Sequence, residues 1–250
     1  MTFFSKKVFT PFTVLLICIL FAGATFLITF LCMRQKYSVQ FSDLYDFAVK
    51  DSMVAEAGEI YSLVTLTKGS DMVTWDEKGE RVLLLSWNDS PDIYIEGKEI
   101  VLDGELWTFT DKEISAWYKN SAKDVENWDL RLKQLIGLPP LSNYTHMTAF
   151  WVNVADVIRP AYQPDVTKQV EVTDLDGKSL GEYEAWFNGN IIYSYFTSDY
   201  PWTRLGYTYD WAEDSDEYGL TEFLILGGTS AEVGFTMTTD EFIRYMADIA

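Results

Sequence analysis

MVTWDEKGERVLLLSW, residues 72–87, sets a polar DEKGE stretch between two apolar arms. Apolar, partly β-branched arms on either side of a Gly-containing polar turn predict a β-hairpin. The neighbouring segments extend the pattern. EIYSLVTL (59–66) is apolar and strand-like, and DIYIEGKEIVLDGELWTFT (92–110) carries two turn signals, Glu96-Gly97-Lys98 and Asp103-Gly104. Glycine there supplies the positive φ that such turns require. Further strands are expected near 147–153, 168–173 and 182–187, the last two joined at Asp174–Gly177, and near Glu222–Leu226.

Helices interrupt this β pattern. Thr110-Asp-Lys-Glu113 has capping-box spacing and predicts a helix to about Asn120. A second helix is expected from about Asp124 to Ile136, with Val125, Trp128, Leu132, Leu135 and Ile136 on one stripe. Gly137 suits its left-handed end, and Pro139-Pro140 forbids continuation. Thr238-Thr-Asp-Glu241 opens a terminal helix whose stripe is Phe242, Tyr245, Met246 and Ile249. The sum is an α+β class: a largely antiparallel sheet with a few packed helices, preceded by an N-terminal transmembrane helix.

That helix is expected from the uncharged run Val8–Met33, VFTPFTVLLICILFAGATFLITFLCM, which spans roughly 39 Å. Ala22-Gly23-Ala24 is a small-residue cleavage signature, but the apolar run continues beyond it, which favours a retained anchor over a cleaved signal. The expected organisation is a tail at 1–7, the anchor at 8–33, a linker with a short helix at 34–58, and one globular domain at 59–250. The flanking charges are balanced, Lys6 and Lys7 against Arg34 and Lys36. The short tail, and cysteines confined to the run at Cys18 and Cys32, favour export of the large part.

Four of the 19 basic side chains flank the anchor, which leaves 15 against 38 acidic ones in residues 37–250, a net charge of −23. Such a domain repels phosphate backbones, so no nucleic-acid partner is expected. One histidine, His146, excludes a multi-histidine metal site, and the absence of cysteine after residue 36 excludes thiolate chemistry and disulfides there. No phosphate-binding glycine motif occurs. No cofactor is implied. His146, at a loop–strand junction, is better explained as an edge residue than as a general base. The acidic DWAEDSDEYG (210–219) fails the EF-hand pattern from Asp214, because Ile225 stands where a bidentate Glu is needed, and no metal site is expected. Asn88-Asp-Ser90 and Asn143-Tyr-Thr145 have the N-glycosylation spacing.

YPWTRLGYTYDW (200–211) is the densest aromatic stretch. As a strand it places Leu205, Tyr207, Tyr209 and Trp211 on one face and Arg204, Thr208 and Asp210 on the other. Arg204 and Asp210 would then lie about 20 Å apart and not pair, unless a bulge at Gly206 resets the alternation. With LRLKQLIGLPP (130–140), RPAYQPD (159–165) and GLTEFLIL (219–226), this block resembles an uncharacterised bacterial family sharing LGLPP, RPxxxPD and YPxTxLGYTYDW blocks. The resemblance covers four short blocks in order and implies no activity, cofactor or ligand. It also implies a cysteine after the RP dipeptide, where this chain has Ala161.

The blocks place Arg159, Asp165, Arg204, Asp210 and Glu222 as a polar set, either a structural ion-pair network or a ligand site. In the second case Arg204 would grip an anionic or sugar ligand while Trp202, Tyr207 or Tyr209 stacks on it. The expected function is a membrane-anchored extracytoplasmic domain that binds a protein or glycan of the envelope. The alternatives are a carboxylate-dependent hydrolase of envelope glycans and calcium-dependent adhesion.

Overall fold

The computed structural model describes residues 11–121, 125–175 and 181–249. The tail, the start of the apolar run, Asp124, Asp176 and Gly177 lie outside them, as does the side chain of Ile249. The chain divides into two compact units, Met1–Asp43 and Leu44–Ala250. In the first, the helix α1 (Pro11–Asp51) carries the stretch Val14–Met33, which is long and apolar enough to cross a membrane and has none of its surface buried. Instead of ending before a linker with its own short helix, α1 continues to Asp51. Its last turns belong to the second unit, where Tyr45, Ala48 and Val49 are buried.

The second unit is α+β. Its strands are β1 (Arg81–Asn88), β2 (Glu99–Val101), β3 (Leu106–Thr110), β4 (His146–Asn153), β5 (Val157–Ile158), β6 (Tyr207–Asp210), β7 (Glu217–Thr221), β8 (Phe223–Ile225) and β9 (Ser230–Thr238). Seven form one sheet in the order β2-β9-β4-β1-β3-β8-β5, with every pairing antiparallel. The pair β6-β7 stands apart. The helices are α2 (Asp111–Ser121), α3 (Trp128–Leu135), α4 (Glu182–Phe196) and α5 (Thr239–Ile249).

The run VLLLSW of β1 is apolar on both faces apart from Ser86 because both faces of the sheet are covered. Leu84 faces a core with Phe150, Val152, Phe223 and Val233. Leu85, one residue on, faces the opposite core with Ile114, Leu132, Leu135 and Phe242 from α2, α3 and α5. The turn before β1 forms as expected, with Asp76 N–H donating to the Arg81 carbonyl at 3.0 Å. Its first arm is reduced to one bridge, Trp75 to Val82. Gly97 has φ +73°, as its turn needs, whereas Gly104 does not enter the positive region. The two segments of 92–110 do not pair with each other: β2 pairs with β9, and β3 with β1 and β8.

Two expected strands, 59–66 and 168–173, form no ladder. In the first, side chains take over part of the backbone bonding. Gln169 accepts from Leu63 N–H at 2.8 Å and donates to the Leu63 carbonyl at 2.8 Å, and Thr221 Oγ1 accepts from Val64 N–H at 2.9 Å. The expected strand at 182–187 is the start of α4. Tyr183, Phe187, Ile191 and Tyr195 recur every fourth residue and share one cluster with Trp202, a helical period. Of the two capping boxes, Thr238/Glu241 closes in both directions. Glu113 is diverted, its carboxylate accepting from Thr221 N–H and the Tyr218 hydroxyl.

Candidate functional site

The strip 200–211 is not a straight strand. Arg204 (φ +61°) and Gly206 (φ +88°) lie in the left-handed region, and Trp202 bridges back to Thr208. The Thr203 hydroxyl pins this loop, donating to the Tyr207 carbonyl at 2.7 Å and accepting from Leu205 N–H at 3.2 Å. All residues from Pro201 to Trp211 are buried, so the expected division into an apolar and a polar face does not hold. The strip passes through the middle of the unit rather than across its surface.

The polar set does not assemble. Arg204 donates to the Ser52 carbonyl at 3.0 Å and lies between the rings of Tyr162 and Tyr195, 5.6 and 5.4 Å from their centroids. Arg159, fully buried, donates to the carbonyls of Val64, Val166 and Lys168, and burial pulls its pKa down to about 10. Asp165 is a surface turn residue held down to about 2 by hydrogen bonds from Thr167. Asp210 pairs with Arg131. Arg159 and Arg204 are each held to backbone carbonyls through Nη2, Arg159 Nε and Nη1 and Arg204 Nε have no hydrogen-bond partner among the described residues, and neither guanidinium pairs with a carboxylate there.

Three expected ligand residues do converge. Trp202, Tyr207 and Tyr209 line a cavity of about 360 Å³ with Trp87, Trp107 and Tyr144. Its wall draws on the end of β1, on β3, the loop after α3, α4, β6, and Glu222, the single residue between β7 and β8. The Trp202 indole is fixed by donation to the Pro160 carbonyl at 2.9 Å, and it packs edge-on to Trp107 with centroids 6.3 Å apart. The hydroxyls of Tyr207 and Tyr209 are engaged with the Glu59 carbonyl and the Asp51 carboxylate.

Glu222 supplies the cavity's distinctive chemistry. Its backbone N–H donates to the Gly206 carbonyl at 2.9 Å, but its carboxyl has no hydrogen bond or ion pair among the described residues. Glu222 lines the cavity, and loss of water around it pushes its pKa up to about 8. At neutral pH it therefore holds its proton. Asn190 of α4 lines the same cavity, and its buried amide nitrogen has no partner among the described residues. Of the twenty-two lining residues nine are aromatic and none is basic, and a second acid, Glu105, is among them.

A further group of carboxylates, Asp51, Glu59 and Glu217, brings oxygens within 4.8 Å of one another. Burial and mutual repulsion raise the pKa values of Glu59 and Glu217. Only Glu217 of this group belongs to the acidic stretch 210–219. His146 begins β4 and its ring Nδ1 meets the Thr145 hydroxyl at 2.8 Å. Asn88 is buried, donating to Thr148 Oγ1 at 2.9 Å, so its amide is not free to carry a glycan.

Composition could point to Trp202 and the tyrosines, because an aromatic-rich stretch with surplus hydroxyls is unusual in a plain strand. The blocks put Glu222 in the polar set, but nothing in the sequence marks it among 38 acidic residues as the one desolvated at a cavity, since burial depends on what the fold stacks around it. Compared with family models, curated proteins and solved structures, the chain matches none of them.

Proposed function

We propose that this chain is a membrane-tethered binding protein whose large unit lies outside the cytoplasm and takes a small ligand into the aromatic cavity. One observation carries the reading: a ligand-sized, ring-lined cavity holds a half-buried, desolvated carboxyl and a buried amide nitrogen, neither with a hydrogen-bond partner among the described residues. Unpartnered polar groups are costly inside a protein unless something else satisfies them. The volume lies near the lower end of small-molecule sites. The apolar helix and the confinement of both cysteines to it support tethering and export.

Filling the cavity tests the binding role. Ser194 is buried and lines it, so Ser194→Phe occupies the ligand's space. A ligand found by fluorescence of the cavity tryptophans is expected to bind the parent and not this variant, with circular dichroism confirming that the variant folds. Equal binding to both would remove the cavity from the function. Protease added to intact cells is expected to digest the large unit, and protection would overturn the topology.

Glycan hydrolysis is favoured by a different observation, the presence of Glu105 in the same wall as the proton-holding Glu222. A general acid with a raised pKa beside a second carboxylate is what glycoside cleavage requires. In that case Glu222→Gln and Glu105→Gln would each abolish turnover of an envelope glycan while leaving its binding intact.

A further inference from the structure

Resting on the reading of the cavity as a ligand site, we infer that its ligand is an organic ammonium ion, held between aromatic rings with its charge against Glu222. Among the described residues the wall contains two carboxyls and no basic side chain. An anionic ligand would therefore find no counter-charge, and Arg159 and Arg204 are absent from the wall, each donating to backbone carbonyls. A cation bound in the cavity supplies the partner that the Glu222 carboxyl lacks. Tryptophan and tyrosine faces attract a cation whose own hydration is weak, as in an alkylammonium. A metal ion fits poorly, because hard cations need six or more oxygens and the wall is mainly apolar and aromatic. The net charge of −23 on residues 37–250 also concentrates cations around the domain.

Such a ligand must displace the proton on Glu222. Binding is then weaker where the carboxyl is protonated and strengthens as pH rises to about 8. The other titratable groups of the wall are Glu105, Tyr144, Tyr193, Tyr200, Tyr207 and Tyr209. Burial raises the pKa values of Tyr144, Tyr200, Tyr207 and Tyr209, so these four stay neutral across that range.

The test uses the full chain in detergent, with tryptophan fluorescence and calorimetry as readouts. The probes are tetramethylammonium, choline and the neutral carbon isostere of choline, in which a tert-butyl group replaces the trimethylammonium. Choline is expected to bind at least about tenfold more tightly than its isostere at about pH 9, and the preference should shrink several-fold at about pH 6. Glu222→Gln should reduce choline to the level of the isostere, while Glu222→Asp retains part of the preference. Equal binding of choline and isostere, or a preference that survives Glu222→Gln, overturns the ammonium inference and leaves the cavity as a ligand site. Absence of binding by all three probes, together with a failed cavity-filling test, removes both.

Discussion

Arg131 and Asp210, 79 residues apart, face each other fork to fork: Nη1 donates to Oδ1 at 2.9 Å and Nη2 to Oδ2 at 2.6 Å. The carboxylate is nearly buried, and the guanidinium also lies over the Trp117 ring, 4.9 Å from its centroid. The pair fastens α3 to β6 and so holds one wall of the cavity.

Asp210→Asn leaves that guanidinium without its counter-charge. Breaking a buried pair costs about 3–5 kcal/mol, which for a unit of this size lowers the melting midpoint by roughly 10 °C. Arg204→Gln removes a different set of contacts, one carbonyl bond and two rings, and should cost about 1–3 kcal/mol. Because the two residues share no partner, the double variant should show additive losses by calorimetry; a coupling above about 1 kcal/mol would contradict their separation.

Glu222 makes stability depend on pH. Its folded pKa lies above that of an unfolded glutamate, so the folded state binds the extra proton between about 4.5 and 8, and its contribution falls as pH rises through that window. At pH 7 the cost is about 3 kcal/mol. Glu222→Gln removes it and should raise the midpoint by roughly 5 °C or more at pH 7, with little change near pH 4. Glu59, Glu113 and Glu217 shift in the same direction, so the informative quantity is the parent–variant difference across pH. A constant difference would show that Glu222 is not desolvated.

Gly219→Ala is expected to be the most damaging single methyl. A Cβ there would collide with the Leu135 carbonyl and with both the hydroxyl and the carbonyl of Thr208, which are backbone or hydrogen-bonded atoms with nowhere to move. Overpacking of this kind costs about 3 kcal/mol or more. Denaturant unfolding of Gly219→Ala against Gly189→Ala, whose added carbon meets nothing within 4 Å, measures it.

Truncation locates the start of the folded unit. Removing residues through Asp43 should leave the melting midpoint of the second unit unchanged. Removing residues through Asp51 also deletes buried Tyr45, Ala48 and Val49 and the Tyr45 hydroxyl bond to the Asp199 carbonyl at 2.7 Å. That loss is worth about 4 kcal/mol or more. Equal stability of the two truncations would show that the end of α1 is an appendage.

What the sequence alone determined is what local periodicity encodes. The apolar run of α1, the strand of residues 81–88 apolar on both faces, the strand near 147–153, the terminal helix with its capping box, and the α+β class follow from repeats of 2 and 3.6 residues and from end signals. Local patterns failed where a side chain took over a backbone's role, as Gln169 does for Leu63, and where the aromatic-rich 182–187 resembled a strand over six residues but is helical over fifteen. Only the tertiary structure decided that Asp210 pairs with Arg131 rather than joining Arg204, that the arginines of the blocks serve carbonyls, and that Glu222 faces a cavity. These outcomes join residues tens to more than a hundred positions apart, and the burial that shifts a carboxyl's pKa belongs to the surrounding fold, so no spacing within the chain encodes them.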